Sequence, residues 1–230
     1  MKIAIIPARG GSKRIPRKNI KDFLGKPIIA YSIEAAQKSA VFDMVIVSTD
    51  DHEIAEVAKG CGADVPFIRP KEIADDYTGT NAVVKHAIIW ISDNIAKVDH
   101  VCCIYATAPF VQATFLAEAH LKLIESKKSF VFSVTSFPFP IQRAIKVNSD
   151  GEVEAIWPEN IGKRSQDIEE AYHDAGQFYW GTAEAFLNNE VIFSPVSIPY
   201  LIPRHLVQDI DTAEDWVRAE CMYSAVSLLS

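Results

Sequence analysis

Short apolar runs rich in β-branched residues alternate with amphipathic stretches of helical period as far as residue 135, and few folds accommodate that rhythm. Residues 3–6, 44–48, 101–105 and 130–135 predict strands, with the third buried on both faces. Residues 27–39, 51–61, 82–94 and 114–126 predict the helices between them, and Gly62 ends the second helix. The expected class is α/β, a mostly parallel sheet flanked by helices. Beyond residue 136 the rhythm breaks. Pro138 and Pro140 interrupt it, Asn148-Ser149-Asp150-Gly151 signals a turn, and residues 144–147 and 153–157 read as a short hairpin. Residues 137–172 are therefore taken as an arm leaving one domain that spans 1–230. The sheet is expected to resume at 175–180, and a last helix to cover 213–229.

Charge is distributed unevenly. The net −7 combines +7 over residues 1–26 with −14 over the rest. That pattern argues against broad nucleic-acid binding and for one concentrated anion site near the start, although a solvated basic face is the plainer alternative. No apolar run reaches the length of a membrane helix or a signal-peptide core, so a cytoplasmic protein with no membrane partner is expected. Cys61, Cys102, Cys103 and Cys221 lack metal-site spacing and read as reduced core thiols.

The basic residues fall in the loop Pro7-Ala8-Arg9-Gly10-Gly11-Ser12-Lys13-Arg14-Ile15-Pro16-Arg17-Lys18-Asn19. A strand delivers the chain to two glycines, which permit backbone that other residues cannot reach and let amides turn toward an anion. Arg9, Lys13, Arg14 and Lys18 can surround that anion, and the combination suits a triphosphate. The spacing matches neither a P-loop nor a dinucleotide fingerprint. The string from Ile6 to Asn19 is similar to the signature of the CMP-sialic acid synthetase family, the sugar-activating cytidylyltransferases. This resemblance implies a Rossmann-like nucleotide-diphosphosugar transferase fold. It also implies CTP contacts from Ala8, Arg9, Gly10, Ser12, Lys13 and Asn19, with Lys18 near the α-phosphate.

Three further segments extend the resemblance. Arg69-Pro70-Lys71-Glu72-Ile73-Ala74-Asp75-Asp76-Tyr77-Thr78-Gly79-Thr80 is similar to a family segment whose Arg and hydroxyl residues touch cytidine, which brings in Arg69, Thr78 and Thr80. Helix capping explains Thr80 equally well. Asp50 reads as an ordinary helix cap. Gln208-Asp209-Ile210-Asp211-Thr212 places two carboxylates at i and i+2, on one face if the segment is a strand. The family pattern assigns Asp209 and Asp211 to Mg²⁺ and makes Asp211 catalytic with Lys18 and Arg9. Against this, Thr212 and Asp215 read as a capping box for the helix that follows. Finally, Tyr105 stands where the family carries Gln. With residues 172–181 it resembles the branch that activates pseudaminic acid, and it points to Tyr105, Gln177 and Tyr179 as sugar contacts, although Phe178–Trp180 also reads as core strand. The expected partners are CTP, an acidic nine-carbon sugar and, by family analogy, a second copy bound through the arm. The expected reaction is CMP transfer with release of pyrophosphate. Activation of a neuraminic, legionaminic or KDO-type sugar, or a non-catalytic nucleotide-sugar binding module, are the alternatives.

Overall fold

Along β1 (Lys2–Pro7) successive side chains point to opposite faces, and both faces are apolar: Ala4 and Ile6 join one core layer, Ile3 and Ile5 the other. A computed structural model describes residues 1–75 and 78–228. Asp76 and Tyr77 of the second motif, and Leu229 at the expected end of the last helix, lie outside the described residues. The basic loop after β1 closes with a 3₁₀ turn at Lys18–Ile20, and a two-strand turn of β2 (Asp22–Phe23) and β3 (Lys26–Pro27) leads into α1 (Ile28–Ser39). Then come β4 (Met44–Ser48), α2 (His52–Gly60), α3 (Thr80–Asn94), β5 (His100–Ile104), α4 (Ala113–Ser126) and β6 (Phe130–Ser136). The hairpin β7 (Ile145–Val147) with β8 (Val153–Ala155) forms the arm, which returns through β9 (Tyr172–Thr182) and α5 (Ala183–Leu187) to β10 (Ser197–Leu201) and α6 (Ala213–Ser227).

The main sheet has six strands in the order β10-β6-β9-β5-β1-β4. Strands β1, β4 and β5 run parallel, as do β6 and β10, while β9 is antiparallel to both of its neighbours. Helices α1, α2, α4 and α6 cover one face, and α3 with α5 covers the other. From β1 the chain crosses first to β4 on one side and later to β5 on the other. Such a reversal opens a crevice beyond the carboxyl ends of the strands.

Four expectations change. Residues 207–211 form no strand; they are an irregular link between a 3₁₀ turn at Arg204–Leu206 and α6, so strand alternation does not align Asp209 with Asp211. Strand β10 escapes notice in the sequence because Pro199 interrupts it, and a proline is tolerated there because β10 is an edge. Cys102 and Cys103 are core thiols, but Cys61 is half-buried and Cys221 exposed. Asp51, not Asp50, caps α2, accepting the Ile54 amide.

Gly181 sits in β9 opposite Phe130, and a Cβ there would lie 2.5 Å from the Phe130 ring and 2.8 Å from that of Phe186. Both rings are buried and meet edge to face at 5.1 Å, so neither has room to turn. Gly181→Ala is expected to cost about 1–3 kcal/mol by overpacking. Urea denaturation measures it, and an unchanged midpoint would show that the rings yield.

Candidate active site

The loops leaving β1 and β5, with residues 69–75 and 78–80 and the link before α6, enclose a polar cavity of about 540 Å³. From the basic loop Arg9, Ser12, Lys13, Arg14, Lys18 and Asn19 line it, joined by Arg69, Thr78, Thr80, Tyr105 and Asp211 from elsewhere in the chain. Of the two loop glycines, neither has a positive φ. Gly10 is required for a different reason: a Cβ would fall 2.6 Å from the Asp51 carboxylate. Its amide does not face the cavity for an anion but donates to Asp50 at 3.1 Å. Asp50 also faces the buried Arg69 guanidinium at 3.4 Å, so this residue, expected as a helix cap, instead joins the basic loop to the second motif. Burial pulls the Arg69 guanidinium below its ordinary pKa, and Asp50 opposes that shift.

Lys18 donates to the Ile210 carbonyl at 2.7 Å and lies 3.4 Å from Asp211, while Arg14 approaches the same carboxylate at 2.9 Å. The two motifs farthest apart in sequence therefore meet across the cavity. Asn19 holds the loop by donating to the Arg9 carbonyl, and Arg9 donates to the Asp75 carbonyl. Thr80 is the first residue of α3, and Gly79 occupies the capping position without a side-chain cap. The capping reading of Thr80 is thereby overturned; Thr80 lines the cavity together with Tyr105. Thr212 and Asp215 do form the capping box, so the neighbouring Asp211 carboxylate is not the cap.

A family model described as cytidylyltransferase matches residues 3–204. The chain belongs to this family. It is 50% identical over 221 residues to pseudaminic acid cytidylyltransferase of Campylobacter jejuni subsp. jejuni, covering 96% of this chain and 95% of that one. It is 31% identical to CMP-N,N'-diacetyllegionaminic acid synthase of Legionella pneumophila, over 95% of this chain and 94% of that one. The fold matches the structure of CMP:2-keto-3-deoxy-manno-octonic acid synthetase complexed with CTP, with a TM-score of 0.70 at 15% identity, covering 97% and 98% of the two chains.

Not every expected site residue of the cytidylyltransferase reaches the cavity. Ala8 is fully buried at the end of β1. Gln177 is 3% exposed and donates to the Leu206 carbonyl, and Tyr179 stands behind Tyr105 in the core. Asp209 lines a second cavity of about 570 Å³ with Asp174, His173, Arg204, His205 and Arg218. The surrounding protein and, after it, the charge of Asp211 raise the Asp209 carboxyl. Arg204 and His205 were missed, although a basic pair after Pro203 in an otherwise acidic stretch was a usable signal. Val83, another cavity residue, has no signal that sets it apart from core positions of α3.

Arg17 turns away from the cavity and pairs with Asp51 at 2.6 Å and with Glu53. The Asp51 carboxyl is held down at about 2, first by its hydrogen bonds from Arg17. A carboxyl depressed in the folded state contributes stability that is complete above its unfolded value near 4 and is lost as pH falls toward 2. After allowance for solvent screening, Arg17→Met should cost about 1 kcal/mol at pH 6, and the difference from the unaltered protein should shrink below about pH 4 and vanish only below about pH 2. Denaturation curves across this range test it; a difference that persists undiminished at pH 1.5 would show that the pair is not its source.

Proposed function

We propose that this cytidylyltransferase transfers CMP from CTP to pseudaminic acid and releases pyrophosphate, acting in the cytoplasm where nucleoside triphosphates are made. The half identity, over nearly the full length of both chains, with pseudaminic acid cytidylyltransferase carries the reading. The cavity supports it: four basic side chains of one loop face a space bounded by Arg69, Thr78 and Thr80, an arrangement suited to a triphosphate with its nucleoside alongside. The sugar's anomeric hydroxyl attacks the α-phosphorus in line as the bond to pyrophosphate breaks. Lys18, fixed by Ile210 and Asp211, is placed to stabilise the charge that develops. Arg204, His205 and Arg218 around the second cavity suit the sugar carboxylate.

Asp211, which lines the nucleotide cavity, fits a magnesium ion shared with phosphate oxygens and water, whereas Asp209 lines the second cavity. Among the described residues no group of three or more acidic, His or Cys ligands exists, so an all-protein metal cage is not available. Burial and, after it, the charge of Asp211 raise the Asp209 carboxyl, while Asp211 is engaged by Arg14 and Lys18. Bound there, Mg²⁺ would supply charge neutralisation for the polyphosphate. The arm suits a second copy of this chain. Ile145, Val147 and Val153 lie on one exposed face of the hairpin, while Lys146 and Glu154 pair on the other. Light scattering at 25.5 kDa, the mass of one chain, would remove that interface.

Pyrophosphate release with CTP across a panel of acidic sugars tests the function. Turnover is expected with pseudaminic acid at least tenfold above neuraminic, legionaminic and KDO-type acids, and a preference for any of these overturns the assignment. In the same assay Lys18→Ala should lower kcat by about 100-fold with a much smaller change in CTP affinity. Asp211→Asn should shift the Mg²⁺ dependence upward. Normal turnover of Asp211→Asn at low Mg²⁺ would leave that carboxylate with only its ion pairs.

A further inference from the structure

Residues 17–19 send three successive side chains to three separate parts of the fold. Arg17 reaches the start of α2, where its two terminal nitrogens donate to Asp51 at 2.6 and 2.9 Å and one of them also to Glu53 at 2.5 Å. Lys18 reaches the Ile210 carbonyl before α6 at 2.7 Å, and Asn19 the Arg9 carbonyl at 2.9 Å. The turn at Lys18–Ile20 is 3₁₀, with about three residues per turn, so neighbouring side chains diverge widely.

The chain enters this turn through an unfavourable conformation. Arg17 has φ +56° and ψ +27°, the left-handed region that is disfavoured for a residue with a Cβ and ordinarily falls to Gly or Asn. A residue stays there when its surroundings over-determine it. Backbone bonds do part of this: the Arg17 carbonyl accepts the Ile20 and Lys21 amides, each at 3.0 Å. The side chain does the rest. Its acceptor is itself fixed, because Asp51 caps α2 by accepting the Ile54 amide at 3.0 Å and donates its own amide to the Thr49 hydroxyl at 3.1 Å. The guanidinium therefore grips a rigid carboxylate with two bonds, a geometry that a lysine cannot reproduce.

Lys18 has a long flexible stem, and its contacts with Ile210 and Asp211 locate only the end of it. Its amide donates to the Ile15 carbonyl at 3.2 Å, a bond inside the same loop. The tie from this turn to the junction of β4 and α2 comes from Arg17. We infer that Arg17 is a positioning residue for Lys18: its fork, clamped on Asp51 and Glu53, holds the left-handed entry that aims the Lys18 ammonium into the nucleotide cavity. With the clamp gone, the entry relaxes to ordinary backbone and the ammonium spends time away from the α-phosphate. A charge fixed before the reaction is worth more than one that must be recruited during it, and small misplacements are costly. Arg17 touches no reacting atom. The catalytic consequence rests on the charge role proposed for Lys18, whereas the positioning does not.

Two readouts keep these apart. The Lys18 side chain is 20% exposed and that of Lys38 71%. Sparse labelling with acetic anhydride, read by peptide mass spectrometry, thus reports the hold on Lys18 against Lys38 as internal standard. Relative labelling of Lys18 should rise at least threefold in Arg17→Met and in Asp51→Asn, which keeps a capping oxygen for α2. With whichever panel sugar the unaltered enzyme turns over, kcat should fall about tenfold in both, with KM for CTP within twofold. Arg17→Lys, which restores the charge without the fork, should fall in between. In the Lys18→Ala background Arg17→Met should cost less than a further twofold, since nothing remains to be positioned. Unchanged labelling overturns the clamp, as do losses that multiply and a normal kcat in Arg17→Met where Lys18→Ala is impaired. Raised labelling with normal turnover in both Arg17→Met and Lys18→Ala removes the catalytic role of Lys18 and supports the clamp. Calorimetric CTP binding verifies folding, and if Arg17→Met or Asp51→Asn fails to fold the other decides.

Discussion

Eight cations in the first 26 residues would repel one another unless carboxylates from elsewhere were brought to them. The structure places those carboxylates one by one. Asp50 takes the Gly10 amide and Arg69, Asp51 takes Arg17, and Asp211 takes Arg14 and Lys18. The basic loop thus has fixed anchors at the end of β4, at the start of α2 and before α6. The positive charge facing the cavity is held in place by groups that leave room for phosphate.

The sheet makes this possible. Because both faces of β1 and β5 are covered by helices, the crevice at their carboxyl ends is where loops from separate elements converge. The loop after β1 and Tyr105–Thr107 after β5 enter the same cavity, as do Arg69 and Asp211 from far along the chain. The antiparallel β9 ties the two layers together: Phe178 and Trp180 pack in one, while Tyr179 joins the other and packs against Tyr105.

Much of this was legible in sequence wherever one periodicity held. The β1–α1–β4–α2 run follows apolar spacing closely, and strand Met44–Ser48 lies where the residues place it. The basic loop and Asp211 stood out because charge was concentrated and motif spacing was specific. What failed was any inference needing a neighbour. Asp50 and Asp51 are adjacent acids, and only the fold decides which caps a helix and which meets Arg69. Gln177 and Tyr179 sit in a recognisable segment, but the bulge in β9 determines which side chains face a cavity, and no local pattern announces it. Asp209 and Asp211 share a short motif yet line different cavities, because the link between them is not a strand.

The arm leaves and rejoins the sheet at adjacent points, since Ser136 at the end of β6 pairs with Tyr172 at the start of β9. Everything from residue 137 to 171 is therefore a closed excursion whose two ends are clamped by one strand pair. Closing a flexible loop twice as long costs only about 0.6 kcal/mol more. The arm is thus a module that can lengthen, shorten or be exchanged without disturbing the register of the sheet, so surfaces can diversify there while the nucleotide crevice stays constant.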